Sequence, residues 1–263
     1  MIKYLKINWI LFKNSYIRDS KIVGYRLSVM TFQIIDILFA VLFFDILFTN
    51  TKNLAGWSFY QVLFLYAFSK GVLALHSAWT RKGTESLSTE LIRTGEFDFY
   101  MTKPIDPMIV ISISKPRIFD FIALFFDISL MVYALIKGGF DLGVKNIIWF
   151  IFLSFFAVIL YYFLKMLTII PAFWLVRLYS LRDIMHRLSQ FMRYPAGVFP
   201  PFLKFALFVF FPVMAATYIP VRTLFYPPEF KYILYMILIT VIFGFITRFF
   251  WKLGERSYSS ASS

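Results

Sequence analysis

The chain has 263 residues, 60% hydrophobic and 16% charged, with a mean hydropathy of +0.74. Soluble domains run at about 45–50% apolar and about 25% charged residues, so a soluble fold is excluded and an all-α polytopic membrane protein is expected. The net charge of +13 is read as the basic excess that flanks spans on one side of a bilayer. No nucleic-acid partner is therefore expected, and the absence of cysteine removes disulfides and thiolate metal sites.

Residues 1–24 precede the first apolar run. Ile2, Leu5, Trp9, Phe12 and Tyr16 recur on one helical stripe, with Lys6 and Lys13 beside it. That is the pattern of a helix lying in the membrane interface. No small-residue cleavage site follows the first run, so no signal peptide is expected.

A span needs roughly 20 apolar residues. Six runs qualify: about 25–48, 57–79, 114–136, 147–170, 198–218 and 232–251. Together they predict one transmembrane domain over residues 1–263. The fourth run stays apolar to Leu178, and Pro171 is expected to kink or end it. Pro212 interrupts the fifth. Residues 211–230 are apolar but punctuated by proline, which suggests a re-entrant hairpin or a surface loop on the outer side.

Basic residues set the orientation. Of the 27 Lys and Arg, 19 fall in residues 1–26, 80–117, 177–193 and the C-terminal tail, and 5 fall in the opposite loops. The asymmetry places both termini in the cytoplasm.

Eight ionisable residues interrupt the apolar runs: Asp36, Asp45, Lys70, His76, Asp120, Asp127, Lys165 and Lys204. Lys204 and Lys165 sit where they can snorkel to a boundary. Asp36, Lys70 and Asp127 each lie roughly 14–15 Å above the inner boundary at 1.5 Å per residue. An unpaired charge at that depth costs about 2.5–3.5 kcal/mol or more. A mutually compensating set is expected, serving as an interhelical tie, as a polar lining of a translocation route, or as a proton relay.

Nucleotide and hydrolytic motifs are absent. There is no G-x-x-x-x-G-K-[ST] loop, no H-E-x-x-H and no G-x-S-x-G, so neither ATP, a zinc ion nor an acyl-enzyme site is expected in this chain. The chain is read as a transporter component, not an enzyme. A membrane-embedded enzyme acting on a lipid-linked substrate and an ion-driven carrier are the alternatives. Inverted repeats would favour the carrier, and none is visible.

The segment between spans two and three is the longest inner connection. "ELIRTGEFDFYMTKPIDP", residues 90–107, holds Glu90, Arg93, Gly95, Glu96, Phe97, Asp98, Phe99, Tyr100, Lys103 and Pro104. A short helix over 88–92, capped by Ser88 and ended by Gly95, is expected. Phe97, Phe99 and Tyr100 then offer apolar area to a partner, Glu96 and Asp98 fix its register, and Pro104 and Pro107 stiffen the return path.

This loop resembles that of bacterial type-2 ATP-binding-cassette exporter permeases. Gly95, Glu96, Asp98, Lys103, Pro104 and Pro107 match its pattern, with lysine at Lys103 where arginine is common. "YPAGVFP" at 194–200, the proline-bearing 211–220 and Trp79 closing the second span are also similar to that family. The resemblance implies a six-span permease of the bacterial plasma membrane, paired with a second permease chain, identical or related. It further implies two separate ATPase subunits that carry ATP and Mg, docked on residues 90–107 as a coupling helix. No cofactor is implied in this chain.

Overall fold

The computed structural model describes residues 12–15, 17, 23–175 and 179–259. Most of the interfacial helix expected over residues 1–24 therefore lies outside the described residues; 12–15 and 17 are helical. Among the described residues there is no strand, only one isolated bridge between Leu54 and Trp57. The protein is an all-α polytopic membrane protein.

Helix α1 covers Val23–Asn50. Helix α2 runs as one continuous helical element from Phe59 to Thr94, with two π-helical turns within it, 36 residues and much longer than the 57–79 expected. It starts on a capping box, Ser58 with Gln61, which satisfies two of the orphan donors at a helix start. Two widened π-helical turns, Ser77–Arg81 and Leu87–Leu91, interrupt it. Two short helices follow, α3 at Phe97–Met101 and α4 at Pro107–Ile113. Gly83 lets α4 press on α2: a Cβ there would lie 2.1 Å from the Ile111 carbonyl oxygen. The third span, expected from residue 114, begins only at Asp120, as α5, Asp120–Gly138. Residues 114–119 are taken up in turning the chain into it.

Helix α6 spans Val144–Ile169 and tightens into a 3₁₀ turn, Ile170–Phe173. Pro171 sits in that turn and the helix ends there, because proline offers no amide to continue the ladder. Helix α7, Tyr179–Gln190, is followed by non-α backbone with short 3₁₀ turns at Phe191–Arg193 and Ala196–Val198. Helices α8, Pro201–Val209, and α9, Val213–Phe225, meet at 96°. Helix α10, Phe230–Ser257, closes the chain.

Among the described residues, five helices are long and apolar enough to cross a membrane: α1, α2, α5, α6 and α10. The expected fifth span at 198–218 is not one of them. Contacts trace the chain there. Ser189 meets Tyr161, 17 residues down α6. The Arg193 guanidinium stacks on Tyr66, Tyr194 packs on Phe44, and the Cβ position of Gly197 lies 2.7 Å from that of Ala55 in the loop between α1 and α2. From 189 to 197 the chain thus climbs a distance on the order of 20 Å, more than helical backbone covers in eight residues. Both ends of the α8–α9 pair lie at that far end: Tyr226 donates to the Gly56 carbonyl, and Asn146 donates to the carbonyls of Leu224 and Tyr226. The pair is a re-entrant hairpin, and the sixth crossing is α7 with residues 191–199. Such backbone survives at membrane depth only when protein covers it; Ser189, Met192 and Ala196 are all buried.

The core sits around α9. Val213, Met214, Ala215, Ala216, Thr217, Ile219 and Val221 are fully buried, packed against α2 and α6. Thr217 donates to the Met192 carbonyl at 2.9 Å, tying the hairpin to the non-helical crossing. A separate cluster, built on Leu87, Leu91, Phe97, Ile111, Phe173 and Trp251, marks the opposite end.

Candidate functional site

Two regions carry the chemistry. The first lies at mid-height. Lys70 on α2 pairs with Asp36 on α1 at 2.9 Å. Tyr66, one turn earlier on α2, donates to the same Asp36 oxygen at 2.6 Å; the i, i+4 spacing puts both donors on one face. Asp127 on α5 does not join that pair. It accepts from the Gln33 amide at 2.5 Å, and its other oxygen, Oδ2, is buried with no hydrogen-bond partner. The residue is 1% exposed. Arg193 completes the set over Tyr66, 5.6 Å from its ring centre, and its charge acts on both Asp36 and Asp127. Two cations therefore face two carboxylates where sequence reasoning placed one cation against two.

Tyr66, Gln33 and Arg193 were not singled out in the sequence. The expected placement of Arg193 among the inner-loop charges is corrected by the path of residues 189–197. The signal was Pro195 and Gly197 inside an otherwise apolar run, residues that stop a helix from passing.

A cavity of about 520 Å³ lies beside this set. Gln33, Lys70 and Asp127 line one end; Arg81, Glu85, Asp183 and His186 line the other. From Lys70 to Glu85 along α2 is about 22 Å. His76 also lines it, edge-on to Tyr161. A second, apolar cavity of about 380 Å³ lies on the other side of His76, between α2, α4 and α6, with Trp79, Ile109 and Tyr162 in its wall.

The second region is residues 90–107. Gly95, at φ +78°, closes α2 in the left-handed region, where a side chain is strained. The short separate helix over 88–92 is corrected: those residues are the last turns of α2, and Ser88 is not a cap but donates to the Glu85 carbonyl within the helix. Glu90 pairs with Lys115 at 2.9 Å, joining α2 to the segment before α5. Asp106 caps α4 through the Met108 amide, Pro107 takes the first helical position, and Arg248 on α10 pairs with Asp106 at 2.5 Å.

Phe97 is the main correction. It is 0% exposed, so it presents no area to a partner. Its ring meets Tyr258 at 4.9 Å, Phe173 at 5.3 Å and Trp251 at 6.3 Å, at the ends of α6 and α10. Phe99, by contrast, is 63% exposed and Met101 45%. The Lys103 ammonium lies 3.8 Å from the centre of the Phe99 ring and 5.0 Å from that of Tyr100. Arg93, Glu96 and Pro104 are exposed, and Asp98 and Tyr100 are half-buried. The result is a small knob, apolar at Phe99 with charges around it, anchored from below by Phe97.

Residues 34–262 match the family described as ABC-2 family transporter protein. The chain belongs to that family. It is accordingly the membrane permease component of an ATP-binding-cassette transporter. No match is found among curated proteins. With the family in hand, the loop knob and the polar cavity acquire distinct places in one machine: a projection at one end, and a cavity whose lining runs along α2 from Glu85 to the buried charges at Lys70 and Asp127.

Proposed function

We propose that this permease couples to a separate ATPase subunit through α3 and exports its cargo across a bacterial plasma membrane. The observation that carries the reading is the division of labour in α3. Phe97 fixes it to α6 and α10, while Phe99 and Met101 stand out from the same short helix. A solvent loop has no need of an aromatic anchor beneath an exposed aromatic tip. A docking element that transmits force needs both.

The basic asymmetry favours the α3 end as cytoplasmic, with both termini on that side and the α8–α9 hairpin at the outer face. Two ATPase subunits would bring ATP and Mg, and a second permease chain, identical or related, would complete the pathway in the bilayer. On this reading α3 is pushed by the ATPase, and the motion enters α6 and α10 through the Phe97 cluster. Gly95 permits α3 to turn relative to α2. The test is purification of the tagged chain from its own membranes. Recovery of a stoichiometric ATP-hydrolysing subunit supports the proposal; a chain that purifies without one in gentle detergent refutes it.

A further inference from the structure

We infer that the 520 Å³ cavity is where cargo enters, and that Asp127 receives an ammonium group of a drug-sized cationic compound. The inference deepens the permease reading and rests on it. The volume suits a small organic molecule, since ligand pockets run about 300–1,000 Å³. The cavity extends along α2 from the α3 end to mid-height and ends at Asp127.

Asp127 has capacity to spare. Gln33 satisfies Oδ1, and Oδ2 has no partner although the residue is 1% exposed. A buried carboxylate oxygen in a low-dielectric site gains most from a charged N–H donor. The lysines and arginine that line the cavity already have partners. Lys70 is paired with Asp36, Arg81 with Glu85 at 3.2 Å, and Lys165 lies against the Tyr161 ring. An anionic cargo would have to compete with the partners of these cations, whereas a cationic one meets a carboxylate in the cavity wall whose Oδ2 has no hydrogen-bond partner. Tyr161 and His76 supply aromatic surface along the route, which suits the apolar body of an amine.

The probe is dansylcadaverine, a fluorophore carrying one primary ammonium, against its N-acetyl derivative, which keeps the body and loses the charge. Binding is read by fluorescence on the full-length chain in lipid nanodiscs, without ATPase, so a failure here leaves subunit coupling standing. Wild type should prefer the amine by about tenfold or more, the size of one charge-assisted hydrogen bond. Asp127→Asn, which keeps the Gln33 bond, should bind both alike, and Asp141→Asn, exposed between α5 and α6 and outside the cavity, should retain the preference. A second measurement needs no variant: carbodiimide labelling of Asp127, read by mass spectrometry, should be blocked by the amine and not by its acetyl derivative. Equal binding by wild type, a preference that survives Asp127→Asn, or equal protection by both probes overturns the assignment.

Discussion

Replacing Phe97 by alanine removes the anchor of α3 while leaving its exposed tip intact. The ring is fully buried among Phe173, Trp251 and Tyr258. Truncating a buried phenylalanine costs about 3–5 kcal/mol, from lost transfer energy and the cavity left behind. The neighbouring rings sit at the termini of α6 and α10, so relaxation to fill the hole is limited by two membrane-spanning helices. Phe99→Ala, at 63% exposure, should cost the isolated chain less than about 0.5 kcal/mol and should instead weaken ATPase docking by about 2 kcal/mol if it is a contact hot spot. The assay is thermal unfolding in detergent with limited proteolysis of residues 94–107, alongside co-purification of the ATPase. Phe97→Ala should lower the melting temperature and open the loop to protease; Phe99→Ala should do neither and lose the ATPase. Equal stability of the two variants would refute the division between anchor and tip.

Lys70→Met leaves Asp36 with Tyr66 but no paired cation, at a cost of about 2.5–3.5 kcal/mol for a mid-membrane charge; adding Asp36→Asn should recover part of it and adding Asp127→Asn should not, as read by melting temperature. Gly83→Ala should separate α4 from α2, because the new Cβ meets the Ile111 carbonyl at 2.1 Å; retention of wild-type stability would contradict that contact. At the opposite end, the Lys231 ammonium, with Arg222, holds the Glu229 carboxyl below its usual range. A depressed carboxyl contributes stability above its unfolded value and loses it as pH falls through the folded one, so hydrogen-exchange protection around 226–232 should drop only in acid and Glu229→Gln should flatten the profile. Cysteines at Asn53 and Asp141, both exposed, should label from outside intact cells, and cysteines at Thr89 and Thr102 only after permeabilisation.

The sequence made the helical membrane class, most spans and the punctuation of the 90–107 loop readable, because each depends on local composition. Length of apolar run, a glycine at a helix end and a proline after it are signals carried by neighbours in the chain. The burial of Phe97 is not legible in the sequence, for a physical reason. Phe97 and Phe99 are two residues apart in an acidic aromatic run, and only tertiary packing decides which faces Trp251, 154 positions away. The depth of Arg193 escapes a charge tally, which assigns a basic residue to the nearest loop. Its true position depends on non-helical backbone crossing under cover of α2 and α9, and no periodicity marks that. The pairing of Asp36 with Lys70 followed from matched depth, but the choice of Gln33 for Asp127 rests on the angular facing of α1 and α5, which depth leaves open.

The central claim is that α3 is the contact through which ATP hydrolysis reaches the spans. A photo-activated benzoylphenylalanine placed at Phe99 tests it most directly, in cells producing the whole transporter. Irradiation should yield an adduct between this chain and the ATPase subunit, and the same probe at Phe202, 83% exposed on α8, should yield none. An assembled, ATP-hydrolysing complex that gives no adduct from position 99, or gives one equally from position 202, would contradict the account.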